Sequence, residues 1–106
     1  MRIEILSDAE DDLVVGARFY ERQRVGLGEY FLDSLYSDID SLLIYAGIHR
    51  AIFGFHRALS KRFPYTIFYS YSPETEVVQV YRVLDLRRNP SWIKKQVRKA
   101  MEQPDM

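Results

Sequence analysis

Apolar residues recur at helical spacing through the first half of the chain and switch to alternation in the second. Ile3 and Ile5 form a short apolar run consistent with a first strand. Ala9, Leu13, Ala17 and Tyr20 then repeat every three or four positions, which predicts a helix from about Asp8 to Arg22. Ser7-Asp8-Ala9-Glu10 has the form of a capping box at its start. Asp8, Glu10, Asp11 and Asp12 crowd the first turn, where carboxylates suit the positive end of the helix dipole. That account makes a metal site unnecessary. Val25-Gly26-Leu27-Gly28 interrupts the period, and a second helix is predicted to begin near Glu29 and end at Gly47. Phe31, Leu35, Ile39 and Leu42 form its buried stripe, widened by Leu32, Tyr36 and Leu43, with Asp33, Asp38 and Asp40 on the other side. The short Gly-containing link predicts an antiparallel helical hairpin.

From Ala51 the period becomes two. Phe53, Phe55, Arg57 and Leu59 alternate with Ile52, Gly54, His56 and Ala58, and Tyr65, Ile67, Tyr69 and Tyr71 alternate with Thr66, Phe68 and Ser70. Ser72-Pro73-Glu74-Thr75 carries turn chemistry. Val77 to Leu84 is nearly continuous in apolar and β-branched residues, as in a central strand buried on both faces. Asn89-Pro90 stops the sheet, and Ser91 to Ala100 makes an amphipathic helix with Trp92, Ile93 and Val97 on one side. The expected order is β-α-α-β-β-β-α: an α+β fold, a helical hairpin on a small, largely antiparallel sheet, in a single domain spanning 1–106.

Composition fits this picture. A chain of 106 residues with 47% hydrophobic content supports one core. It has no cysteine, so disulfides and thiolate metal sites are excluded and a reducing compartment is the natural home. The N-terminus is too short and charged for a signal-peptide apolar region, and no run approaches the roughly 18 apolar residues of a membrane span. The sequence therefore predicts a cytoplasmic protein without membrane contact. The net charge of zero hides an asymmetry. Residues 1–49 carry four basic and ten acidic side chains, a balance of −6, and residues 50–100 carry eleven basic and three acidic ones, a balance of +8. Either one face meets an anionic partner, or an acidic helix layer packs on its own basic sheet.

Three stretches carry a family resemblance. Phe63-Pro64-Tyr65-Thr66-Ile67-Phe68-Tyr69 is similar to the segment of ParE-like toxins in which a Tyr-containing strand follows Phe-Pro-Tyr. The run from Val78 to Trp92, including Arg87-Arg88-Asn89-Pro90, resembles the last strand of the same family followed by Arg-Asp-Pro and Trp. Ala9, Asp11-Asp12-Leu13 and Tyr20 fit its first helix. The chain thus resembles the ParE/RelE superfamily of toxins from type II toxin–antitoxin (plasmid stabilisation and stress) systems, in its ParE-like branch. The resemblance implies a toxin neutralised by a cognate antitoxin protein. It implies DNA gyrase as target for a ParE-like member, and ribosome-dependent mRNA cleavage for a RelE-like one. It implies no cofactor and leaves a homo-oligomer open. A third reading is an inactive member retained as a partner-binding module.

Cutting mRNA requires cations at a phosphate and a group that transfers a proton. Arg57, Lys61, Arg62, Arg82, Arg87 and Arg88 are the candidate cations, and Tyr65, Tyr69, Tyr81 and His56 the proton-transfer candidates. The resemblance counts against RelE chemistry at three positions, because Thr66, Asp85 and Trp92 stand where RelE-type enzymes carry Arg, His and Tyr. A ParE-like inhibitor asks only for exposed aromatic and Arg anchors. The target-binding candidates are therefore Arg57, Arg62, Arg82, Arg87, Arg88 and Trp92, with catalytic residues left unassigned. Competing structural roles exist for each. Arg82 sits mid-strand, where an inward guanidinium needs an acidic partner from the helical hairpin, and Trp92 can anchor the last helix on the sheet. Tyr65, Tyr69 and Tyr71 could stack bases, but Ile67 between them favours core. His49 and His56 read as ordinary polar residues.

Overall fold

The computed structural model describes residues 1–49, 51, 52 and 54–102. The elements run β1 (Arg2–Ile5), α1 (Ser7–Gln23), α2 (Leu27–Asp40), α3 (Leu42–Tyr45), β2 (Ala51–Ile52), β3 (Phe55–Leu59), β4 (Tyr65–Ser72), β5 (Val77–Asp85) and α4 (Pro90–Met101). The strands form one sheet in the order β1-β5-β4-β3-β2. All neighbours pair antiparallel except β1, which lies parallel to β5. The expected α+β architecture of a helical hairpin on a largely antiparallel sheet is present.

Each face of the sheet has its own core. Ala9, Leu13 and Tyr20 of α1 join Phe31, Leu35 and Ile39 of α2 over Ala58, Tyr65, Ile67, Tyr69, Val78, Val80 and Val83. On the opposite face α4 places Val97 and Ala100 over Phe55, Phe68, Tyr81 and Leu84, with Trp92 and Ile93 at its margin. A central strand covered on both sides cannot alternate polar and apolar residues, which is why β5 reads as nearly continuous hydrophobic sequence. Tyr65 and Tyr69 are core residues of the hairpin face, not a stacking platform. The Phe63-Pro64-Tyr65 segment is a packing motif too. The Phe63 ring lies 4.8 Å from that of Tyr20 and 5.0 Å from that of Phe31.

Several local expectations are corrected. Ser7 does not cap α1. Leu6 occupies that position without a side-chain cap, because its N–H still donates to Val80 O at 3.0 Å, extending the strand register one residue. The second helix starts at Leu27, earlier than expected, because the Glu21 carboxylate accepts the N–H groups of Gly26 and Gly28 at 3.0 Å each. It ends at Asp40, and α3 follows before Gly47, whose φ is +89°. Tyr36 and Leu43 do not widen the buried stripe but face solvent, and Asp38 is buried rather than exposed. Asp38 accepts from Ser60 Oγ at 2.6 Å and from Lys61 N at 3.3 Å, joining α2 to the β3–β4 loop.

The strand expected from Ala51 to Leu59 is two strands, and the sheet has one more than expected. Ala51 pairs with His56 and Ile52 with Phe55, so the chain reverses between β2 and β3, with Gly54 at φ +87°. Phe53 and the acidic tail beyond Glu102 lie outside the described residues.

A bulge interrupts β5. Phe68 pairs with Arg82 but Tyr69 pairs with Val80, leaving Tyr81 as the extra residue. The slip puts Val80 and Val83 on the hairpin face, and it aims Arg82 along the sheet edge between α1 and α4.

Candidate functional site

The end of β5 and the start of α4 lie beside α1, and four of the sequence candidates meet there. Asn89 holds the turn into α4, its side chain accepting the Ser91 N–H at 2.8 Å, and Pro90 supplies the preset φ of a first helical residue. The carbonyl of Pro64 accepts the Leu86 N–H at 2.8 Å, so the β3–β4 loop is tied to the same corner.

Arg82 is engaged internally. Its Nε and Nη2 donate to Asp12 at 2.7 and 2.9 Å, its Nη1 donates to Gln96 at 2.9 Å, and the Val83 N–H gives Asp12 a third donor at 2.9 Å. The side chains of Arg82 and Asp12 are only 11% and 14% exposed. Burial pushes the Asp12 carboxyl up, opposed by the Arg82 and Val83 donors, while the hydrogen bonds to Asp12 raise Arg82 in turn. The guanidinium is always charged, and its two hydrogen bonds, with that of Val83, favour the ionised carboxylate. Asp12 therefore does more than complement the helix dipole. It sits three residues after buried Ala9 and four before buried Gly16, on the inward side of α1, and that spacing is the signal that identifies it. The acidic helix layer does pack on its basic sheet at this one bidentate pair.

Arg87 and Arg88 behave differently from Arg82. Arg87 donates to Asp85 through Nη2 at 2.8 Å and Nε at 3.0 Å, and reaches the Tyr20 hydroxyl at 3.2 Å. Its side chain is still 55% exposed. Burial works to raise the Asp85 carboxyl, but the Arg87 side-chain and backbone hydrogen bonds hold it below its usual range. Arg88 has no carboxylate within ion-pair distance among the described residues. It lies over Trp92, with Cζ 3.9 Å from the ring centroid. Trp92 is half-buried, packed on the α4-face core beneath that guanidinium.

Between these groups and α1 lies a cavity of about 220 Å³, lined by Val15, Gly16, Tyr65, Val83, Arg88 and Trp92 together with the Asp12–Arg82 pair and Asp85. Burial first, and then the nearby Asp85 charge, push the Tyr65 phenol up to about 12. Tyr65 therefore keeps its hydroxyl hydrogen at neutral pH.

The remaining candidates are dispersed. Arg57 flanks Phe68 on the side opposite Arg82, on the α4 face of the sheet, and Arg62 is exposed on the β3–β4 loop with Lys61. Tyr81 is buried on the α4 face, its hydroxyl donating to Gln79 at 3.2 Å. Tyr69 is fully buried on the other face, accepting from Gly47 N at 3.0 Å and bonded to His49 Nδ1 at 2.6 Å. His56 stacks on Tyr69 and bonds the His49 carbonyl at 2.8 Å. The histidines are thus a local latch, which no local sequence pattern reveals because its partner Tyr69 is twenty residues away from His49. Of the proton-transfer candidates, only Tyr65 stands near the Arg87–Arg88 corner.

This architecture is the ParE/RelE toxin-like fold. A chain of known structure from the "Chromosomal ParDE TA system from P. aeruginosa" superposes with a TM-score of 0.67, covering 82% of this chain and 97% of that one at 14% sequence identity. At that identity the likeness establishes the fold. No protein-family model matches the chain, and no curated protein matches it. Among the described residues no helix is long and apolar enough to cross a membrane.

Proposed function

We propose that the chain is a ParE-like toxin of a type II toxin–antitoxin system, neutralised by a cognate antitoxin and acting by binding a cellular target such as DNA gyrase. The observation that carries the reading is the superposition on a ParDE-system chain over nearly the whole of that chain. It agrees with the independent resemblance of the Phe63–Tyr69 and Val78–Trp92 segments. The target-binding surface is the corner built by Arg87, Arg88 and Trp92, with Arg62 on the adjoining loop. Arg82 supports that corner from inside, and Arg57 stands apart from it.

The geometry favours binding over RNA cleavage. Thr66 is buried, with its Oγ1 3.4 Å from the Ala58 carbonyl, and Asp85 is tied to Arg87. Of the proton-transfer candidates, the one at this corner, Tyr65, holds its proton to about pH 12, which suits a hydrogen-bond donor better than a general base.

Inducing the chain without an antitoxin should arrest growth, and co-expressing a cognate antitoxin should restore growth. Purified protein should inhibit gyrase supercoiling. If supercoiling is untouched at saturating protein while translated mRNA is cut at codon boundaries, the RelE-like alternative replaces this reading. No growth arrest across hosts and expression levels would leave the inactive partner-binding module.

A further inference from the structure

Tyr65 is the group at the Arg87–Arg88 corner that neither the fold nor the proposed surface explains. The residue is 6% exposed, yet its hydroxyl makes no hydrogen bond to any described residue. A buried hydroxyl without a partner costs about 1–3 kcal/mol, so such a group points to something that completes it. The oxygen lies 3.2 Å from where a Cβ on Gly16 would stand, and both residues line the 220 Å³ cavity. Across that cavity Val15 is 65% exposed on α1, an apolar residue turned to solvent on the same rim as Trp92.

Charge at the site is one-sided. The two carboxylates in the lining, Asp12 and Asp85, are each held by an arginine, Arg82 and Arg87. Arg88 at the mouth has no ion-pair partner among the described residues, and Lys94, Lys95 and Arg98 stand on the helix that leads away from it. The cavity is mostly apolar and has room for one bulky side chain. Arg88 already covers the face of Trp92 at 3.9 Å, so the indole offers no open platform for a nucleobase. These features exclude a stacked base and fit a peptide.

We propose that this cavity receives an acidic linear segment of the target protein. One bulky apolar side chain enters between Val15 and Trp92, a flanking carboxylate binds Arg88, and the Tyr65 hydroxyl donates to a main-chain carbonyl. This rests on the reading of the Arg87–Arg88–Trp92 corner as the target surface and gives that surface a ligand chemistry. Val15 and Tyr65 become specificity residues, although neither is basic.

Trp92 is the one tryptophan in the chain, so its fluorescence reports directly on the cavity. The full chain is titrated with an acetylated, amidated Glu-Glu-Phe-Glu-Glu peptide, with the same peptide carrying Ala at its centre, with one carrying Gln for Glu, and with a short oligouridine. Calorimetry serves as a second readout. The phenylalanine peptide should give saturable binding, weakened on the order of tenfold or more by the central Ala, by loss of the carboxylates, and by Val15→Asp or Arg88→Ala in the protein. Tyr65→Phe should weaken it while leaving the melting temperature of the free protein unchanged or raised, since an unpaired hydroxyl is removed. Absence of saturable peptide binding, or tighter binding of the oligouridine, overturns the proposal. Growth arrest separates this failure from that of the underlying reading. If Arg88→Ala abolishes arrest but well-folded Val15→Asp does not, the cavity proposal falls and the basic corner stands. If Arg88→Ala arrests growth as strongly as the parent, both fall.

Discussion

Replacing Arg82 should damage the protein by unfolding it, not by removing a contact to its target. The Asp12 carboxylate accepts three hydrogen bonds, two from Arg82 and one from Val83 N, within 2.9 Å. Arg82→Ala strips two of them and leaves a carboxylate that is 14% exposed facing one amide. Removing one partner of a buried ion pair costs about 3–5 kcal/mol. A domain of this size has a total stability of roughly 5–15 kcal/mol, so the variant forfeits a large share of it. Asp12→Ala should cost a similar amount, because it takes both carboxylate hydrogen bonds from the guanidinium and also frees the Val83 N–H. The double change Asp12→Leu with Arg82→Met should cost much less than the two single losses together, since it leaves no buried charge behind. Equilibrium unfolding in urea, followed by Trp92 fluorescence and far-ultraviolet circular dichroism, measures all of these. Single variants that lose less than about 1 kcal/mol, or a double variant as unstable as the sum of the singles, would refute the assignment of Arg82 to a structural role. Growth arrest lost in Arg82→Ala should track the unfolded fraction.

Arg87→Ala with Arg88→Ala should behave in the opposite way. Both side chains are largely exposed, so stability should change by about 1 kcal/mol or less while growth arrest is abolished. Retained arrest would move the site elsewhere. Gly16→Ala would put a Cβ 2.6 Å from Phe31 Cζ, and the aromatic cluster has no room to yield. A loss of about 1–3 kcal/mol in urea unfolding is expected, and an unchanged midpoint would show that Phe31 rearranges freely. Acidification should loosen the His49–Tyr69 latch. Partial burial first, and then the neighbouring His56, lower the His49 value from its ordinary 6.5, so the unfolded chain takes up the proton before the folded one. The stability this neutral imidazole supplies is fully present above the unfolded value of about 6.5. It is lost as pH falls from there through the lowered folded value. Melting temperatures recorded between pH 7.5 and 5 should decline in the parent and decline less in His49→Gln. Equal slopes would remove His49 as the cause.

The sequence by itself determined the periods and the order of the main elements. Ala9, Leu13 and Tyr20 had to face inward together because 3.6 residues make a turn, and Val77 to Leu84 had to lie in mid-sheet because no polar position interrupts it for long. The Phe63–Tyr69 segment was readable too, since Phe63 and Tyr65 are packing residues of the aromatic cluster. Features fixed by partners distant in the chain were not readable. Leu6 displaces Ser7 from the cap position because Val80, seventy-four residues on, holds its amide. Glu21 starts α2 early, and Gly54 divides what looked like one strand. Asp38 stands seven residues after Phe31 and three after Leu35, so the helical period already put it on the buried stripe. What the period could not show was the pair of donors from the β3–β4 loop that makes a carboxylate tolerable there. Arginine spacing also could not separate Arg82 from Arg87 and Arg88. The bulge at Tyr81 turns Arg82 toward Asp12 across seventy residues of sequence, while the next two arginines run past the end of the strand into solvent. Tertiary structure therefore decided which charges stabilise the fold and which remain free to meet a partner. It did so because burial and long-range register, not local composition, set where a guanidinium can find a carboxylate.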